Sequence, residues 1–225
     1  MNKIDKKPNY KKIYKYVEKK FKKSPFFHYG VYDETFFTPR VFEMCKELMK
    51  KLDSKINKEI LLTSALLHDI GKTDMDFDKL VKPNGGFERT EWKTHAKRGV
   101  PIARRYLRNQ GHSKEFIDEV AYLIENHDKR RNKMNNRTIE LEILQDADIL
   151  ADSGLIAIAR SFTYSGQFKR NLLDNIRFMR DVDSRAQDPE YFNLKISRQI
   201  AKKLHSQEVK MIKELSLNLE SELFN

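Results

Sequence analysis

The feature that most constrains this chain is Ile60-Leu61-Leu62 running to Ala65-Leu66-Leu67, followed at once by His68-Asp69. An amphipathic surface helix shows one apolar stripe, whereas this segment is apolar on most sides, so it belongs at the centre of a domain. Asn57 is a suitable N-cap for it and Gly71 a natural left-handed C-cap. Burying an imidazole and a carboxylate at its end is costly unless each finds a strong partner.

The rest of the pattern is helical too. Only 8 glycines and 6 prolines occur in 225 residues, mostly between periodic segments. Tyr10, Ile13, Tyr14, Val17 and Phe21 form an apolar stripe opposed by lysines. Residues 24–37 read as a loop packed on the core, and Thr38-Pro39 as a helix start carrying Val41, Cys45, Leu48 and Leu52. Residues 72–91, with Pro83-Asn84-Gly85-Gly86, form the longest non-periodic stretch, a length often tied to function. Helices follow from about Trp92 to Leu107, from Ser113 through Ile124, and from the Thr138 cap to Leu150. Residues 154–162 look small and buried, Tyr164 to Gln167 read as a turn, and two helices cover roughly 170–182 and 189–222. The expected class is all-α, with a basic N-terminal helix over 1–24 and one helical domain over 25–225.

The formal charge of +11 is concentrated at the start: residues 1–23 hold ten lysines against Asp5 and Glu18. Such a segment can attract nucleic acid, although a solvated helix face explains it as well. The single Cys45 excludes an internal disulfide framework and reads as a packed core thiol. With no secretory apolar region near the start and no run long enough to cross a bilayer, a cytoplasmic protein without a membrane partner is expected.

His68 and Asp69 are not alone. His95 lies on the next helix, His127 ends the one after, and Asp148 interrupts an otherwise apolar helix in Gln145-Asp146-Ala147-Asp148. Separate helices can aim such groups into one bundle interior. Imidazole and carboxylate together suit zinc, manganese, iron or nickel.

At this point the sequence resembles a known family. Leu66-Leu67-His68-Asp69-Ile70-Gly71-Lys72 is similar to the signature of the HD-domain phosphohydrolases, and Leu141 through Asp152 is similar to their closing aspartate motif. Ser153 through Phe162 and the stretch from Ile196 extend the likeness, over roughly residues 30–222, to a branch of small stand-alone microbial members. The resemblance implies a multi-helix HD bundle with a central buried helix. It implies metal-dependent cleavage of a phosphate ester, with a nucleotide or similar small phosphorylated substrate. It gives His68, Asp69 and Asp148 as ligands of a first ion, and His95 and His127 as ligands of a second that Asp69 bridges. One or two divalent ions (manganese, iron, nickel, cobalt, zinc or magnesium) are expected. Asp146 and Asp152 would support or cap.

One departure stands out. The family usually carries a histidine four residues before the valine of its first motif, where this chain has Phe37 before Val41. His28, Asp33 or Glu34 are the nearby groups that could substitute. The alternative function is therefore a partly degenerate fold that binds nucleotide or nucleic acid without efficient turnover. For catalysis, Asp69 is the expected general base with Asp128 as a spare, and Lys72 the expected phosphate cation, although Lys72 also suits a helix C-terminus. Arg40, Lys129, Arg130 and Arg131 are further candidate cations or solvated surface charges. His112 and His205 are expected at the surface, and Trp92 as an anchor.

Overall fold

The computed structural model describes residues 6–30, 33–80, 88–129, 137–167, 169–182 and 191–222. Among them there is helix and no strand. The helices are α1 (Tyr10–Phe21), α2 (Pro25–Tyr29), α3 (Glu34–Met49), α4 (Lys58–Leu67), α5 (Phe77–Leu80), α6 (Arg89–Trp92), α7 (His95–Gln110), α8 (Lys114–Asn126), α9 (Ile139–Ala151), α10 (Leu155–Gln167), α11 (Leu172–Val182) and α12 (Lys195–Glu222), with a 3-10 turn over Ile70–Asp74. Arg130, Arg131 and Pro83 to Gly86 lie outside the described residues.

Helix α4 is the axis. Every side chain from Ile60 to Leu67 is buried, and α1, α3, α8 and α9 pack around it. Asn57 caps it by accepting from the Ile60 amide. Helix α1 turns Ile13, Val17 and Phe21 into the same core. Helices α10, α11 and α12 form a second layer with its own small core of Ile158, Ile176, Met179 and Ile212.

Five local expectations need correction. The stretch 24–37 is not a loop: α2 occupies part of it, and α3 begins at Glu34 rather than at Thr38-Pro39. Asp33 caps α3 by accepting from the Thr35 amide. Pro39 thus lies inside the helix and cannot donate to the Thr35 carbonyl four residues back. The Tyr14 hydroxyl of α1 donates to that carbonyl at 2.7 Å instead, so the backbone acceptor is satisfied. Gly71 is not a left-handed cap; positive φ among the described glycines belongs to Gly111 and Gly154. A Cβ at Gly71 would lie 1.9 Å from the His95 carbonyl oxygen and 2.4 Å from the Gly99 amide nitrogen. The glycine is there because α7 crosses the 3-10 turn at backbone contact distance, which brings His95 to Asp69. Finally, Tyr164 to Gln167 complete α10 rather than forming a turn, and the 154–162 segment is mostly half-exposed, with Leu155 on the surface.

Candidate metal centre

Each candidate histidine sits at a helix end. His68 follows the last residue of α4, His127 follows the last of α8, and His95 opens α7. Carbonyls in a final helical turn lack partners within the helix. Here the imidazoles take up that role. His68 Nδ1 lies 2.8 Å from the Ala65 carbonyl, His127 Nδ1 2.6 Å from that of Ile124, and His95 Nδ1 2.6 Å from that of Trp92. A carbonyl only accepts, so each Nδ1 carries the proton and donates. That fixes the tautomer, and in a neutral ring leaves Nε2 as a lone-pair acceptor.

All three Nε2 atoms point at carboxylates, and those of His95 and His127 also at each other. His68 Nε2 is 3.1 Å from Asp69 Oδ2 and 3.6 Å from Asp148 Oδ1. His95 Nε2 is 3.2 Å from Asp69 Oδ1, 3.4 Å from Asp128 Oδ2 and 3.2 Å from His127 Nε2. His127 Nε2 is 3.6 Å from Asp69 Oδ1. The structure thus brings together His68, Asp69, His95, His127 and Asp148, and adds Asp128. The three rings and Asp69 are buried, while Asp148 and Asp128 keep side-chain exposures of 16% and 28%. The centre therefore opens toward solvent between the end of α8 and α9.

Neutral imidazoles with protonated Nδ1 cannot hydrogen-bond to each other through Nε2, nor donate from it to Asp69. His68 Nε2 is buried without a hydrogen-bond partner. Charged rings would set imidazolium against imidazolium, with centroids 5.1 Å apart in both the His68–His127 and His95–His127 pairs. A cation among these atoms would satisfy the lone pairs that face it. The carboxylates pull positive charge into the centre, and a ring proton answers the same pull as a cation would. Burial works against ionisation of Asp69, yet His68 and Lys72 hold it well below the usual carboxylate range. Asp148, also opposed by burial, is held down to about 2 by the His68 ring beside it. Burial would lower His68, but Asp69 and Asp148 lift it well above the ordinary imidazole value. His68, Asp69 and His127 form one group able to hold a metal ion, and His95, His127 and Asp128 form another.

The lysine after the pair is engaged differently from a solvent-facing phosphate contact. Lys72 Nζ lies 2.6 Å from both Asp69 Oδ2 and Glu34 Oε1, is 4% exposed, and stands 4.6 Å over the Trp92 ring. Burial lowers its affinity for the proton, but the two carboxylates raise it further. Phe37 faces the same side: its ring centroid is 6.3 Å from that of His68, with the Arg160 guanidinium 4.6 Å from the ring. Of the nearby groups that could substitute a ligand, Glu34 reaches the edge of the centre through Lys72. His28 instead bonds to Thr35 Oγ1 at 3.1 Å, and Asp33 caps α3.

Other candidates have structural partners. Arg40 donates to the Ala151 carbonyl, and Lys129 to Asn126 Oδ1. Asp146 accepts from the amides of Asn193 and Leu194, fixing the approach to α12, and Asp152 pairs with Arg160. Burial pushes the Cys45 thiol up, as expected of an inert core cysteine. His112 and His205 are half-buried, not fully exposed. Two contributors escaped sequence reasoning. Gln145 donates to the carbonyls of Asn126 at 3.0 Å and Lys129 at 2.6 Å, bracing the turn that carries His127 and Asp128. Its signal was an amide on an apolar helix. Arg160 gave only the weaker signal of the one charge within α10.

The family model for the HD domain matches residues 38–152, just over half of the chain and the part that carries the cluster. The chain belongs to the HD-domain family. HD domains typically bind divalent metals, and the lone-pair cluster described above is a fitting donor set for one. Membership supports a metal-dependent hydrolase in general terms. No curated protein matches the chain. Solved structures share the HD fold along nearly the whole length. A predicted HD superfamily hydrolase from an uncultured Thermotogales bacterium is 23% identical, with 93% of this chain and 92% of that one covered and a TM-score of 0.61. Bacillus subtilis YpgQ in complex with ADP is 20% identical, with coverage of 93% and 97% and a TM-score of 0.61. An HD-superfamily hydrolase from Bacillus thuringiensis is 20% identical, with coverage of 94% and 96% and a TM-score of 0.66. At these identities the likeness is one of fold.

Proposed function

We propose that this HD-domain protein is a cytoplasmic phosphohydrolase that cleaves a phosphate ester of a nucleotide or similar small anion. His68, Asp69, His95, His127 and Asp148 would hold one or two divalent ions, with Asp69 and Lys72 as catalytic groups. The carrying observation is the set of three Nε2 lone pairs locked toward the carboxylates by their own Nδ1 bonds. A bound divalent ion supplies Lewis acidity, polarising a phosphoryl group and acidifying water.

The chain's own groups do the rest. Asp69 would help hold the ion and orient the attacking water, whose proton leaves to solvent through the open side of the centre. Lys72 holds Asp69 in place and adds positive charge beside it. Substrate enters where Asp128 and Asp148 are partly exposed. That YpgQ, of the same fold, was solved with ADP supports the choice of a nucleotide. The exposed lysines of α1 are the surface on which nucleic acid would bind, with a steep salt dependence.

Phe37 favours a second reading, a binding module without efficient turnover. Turnover of bis-p-nitrophenyl phosphate with added manganese, nickel, cobalt or magnesium separates the two. Asp69→Ala is expected to lose both metal content and activity. Wild-type turnover by that variant would end the assignment.

A further inference from the structure

The two sides of Asp69 are not equivalent. Its Oδ2 faces His68, but the Lys72 ammonium lies 2.6 Å from the same oxygen, and the Arg160 guanidinium rests on the adjacent Phe37 ring. A dication on this side meets a buried lysine charge, and Phe37 offers no lone pair. Its Oδ1 faces His95 and His127, and here the next group is a carboxylate. Asp128 Oδ2 is 3.4 Å from His95 Nε2.

Four of the six spacings on the Oδ1 side also fit an ion. Four ligands placed tetrahedrally about 2.0–2.1 Å from a metal are about 3.3–3.4 Å from each other. The separations from His95 Nε2 to Asp69 Oδ1, His127 Nε2 and Asp128 Oδ2 are 3.2, 3.2 and 3.4 Å, and that from His127 Nε2 to Asp69 Oδ1 is 3.6 Å. The rings are already oriented by their carbonyl bonds, and Gln145 pins the turn bearing Asp128 from both ends. By contrast, on the Oδ2 side the structure gathers His68 and Asp148 around an oxygen shared with a lysine.

We infer that the tight metal site of this chain is Asp69, His95, His127 and Asp128, with Asp128 a direct ligand, and that Lys72 stands in for an ion on the opposite side. This rests on the metal-dependent reading above and narrows its ligand set, leaving His68 and Asp148 beside the tight ion rather than on it. Binding is one equivalent of ion, and the charge that would otherwise come from a second ion comes from lysine.

The test is titration of the wild type and of Asp128→Ala, Asp128→Asn and Asp148→Asn with Co2+, by calorimetry and by visible absorption, which is intense for four-coordinate Co2+. Circular dichroism checks the fold of each variant; Asp128 is partly exposed, so its replacement leaves the core alone. The expected result is one tight equivalent with a four-coordinate spectrum in the wild type. Asp148→Asn keeps that affinity within threefold, and both Asp128 variants lose at least tenfold together with the intense band. Two equally tight equivalents would overturn the inference, as would a tight ion lost in Asp148→Asn and kept in Asp128→Ala. Wild-type protein that binds no Co2+ at millimolar concentration would overturn the hydrolase reading as well.

Discussion

Glu34 shows how much a single buried carboxyl can impose. It has no exposed surface, and its Oε2 lacks a hydrogen-bond partner. Burial pushes its carboxyl up to about 8, with Lys72 pulling the other way. A group that binds its proton more tightly when folded favours the fold below its ordinary value, and that contribution fades as pH climbs through the raised one. Glu34 therefore makes the fold progressively less stable between about pH 4.5 and about pH 8. Glu34→Gln, which keeps the shape and a hydrogen bond acceptor for Lys72, should flatten this decline. Thermal melts of both proteins across that window are the measurement, and a parallel decline in the variant would contradict the account. Asp69 is the opposite case, held in its anionic form by the charges around it. That contrast was out of reach of the sequence, where Glu34 lies between Asp33 and Thr35 and Asp69 between His68 and Ile70.

At the scale of elements, the deciding contact is between the 3-10 turn and α7. Gly71→Ala would push a methyl into the His95 carbonyl, moving the helix that delivers His95. A loss of about 1–3 kcal/mol is expected from such overpacking, together with weakened metal binding. Gly111→Ala serves as the control. Its φ of 83° also disfavours a side chain, at about 1–2 kcal/mol, but the space around it is open and it ends α7 far along the helix from His95. Denaturant melts combined with metal titration separate the two, since Gly71→Ala alone should change the titration. In the sequence Gly71 reads simply as a stop after an apolar helix, because a close approach by a helix more than twenty residues away leaves no local mark. The start of α3 was hidden for a similar reason. Thr38-Pro39 matches the composition of a helix start, and only the Tyr14 hydroxyl, supplied by another helix, lets Pro39 sit inside.

For the molecule as a whole, His68 and His127 were legible because each ends an apolar helix, His95 because it lies on the helix between them, and the fold does bring the three together. What each would bind is the subject of the proposals above. Less legible was the status of α1. Its lysines suggest an appended strand guide, but its other face supplies Ile13, Val17 and Phe21 to the main core. Fully burying such side chains contributes about 1.5–3 kcal/mol each. Removal of residues 1–23 should therefore lower the melting temperature sharply or prevent folding, besides altering nucleic-acid affinity. A truncated protein as heat-stable as the full chain would refute this. Charge reversal of exposed Lys11, Lys12 and Lys15 is the cleaner probe of a strand-binding face. The bonds from imidazole to carbonyl have a last consequence. Because each ring takes its direction from its own backbone, the receptacle is shaped by folding alone. A chelator should strip the protein without melting it, and reloading should need no refolding.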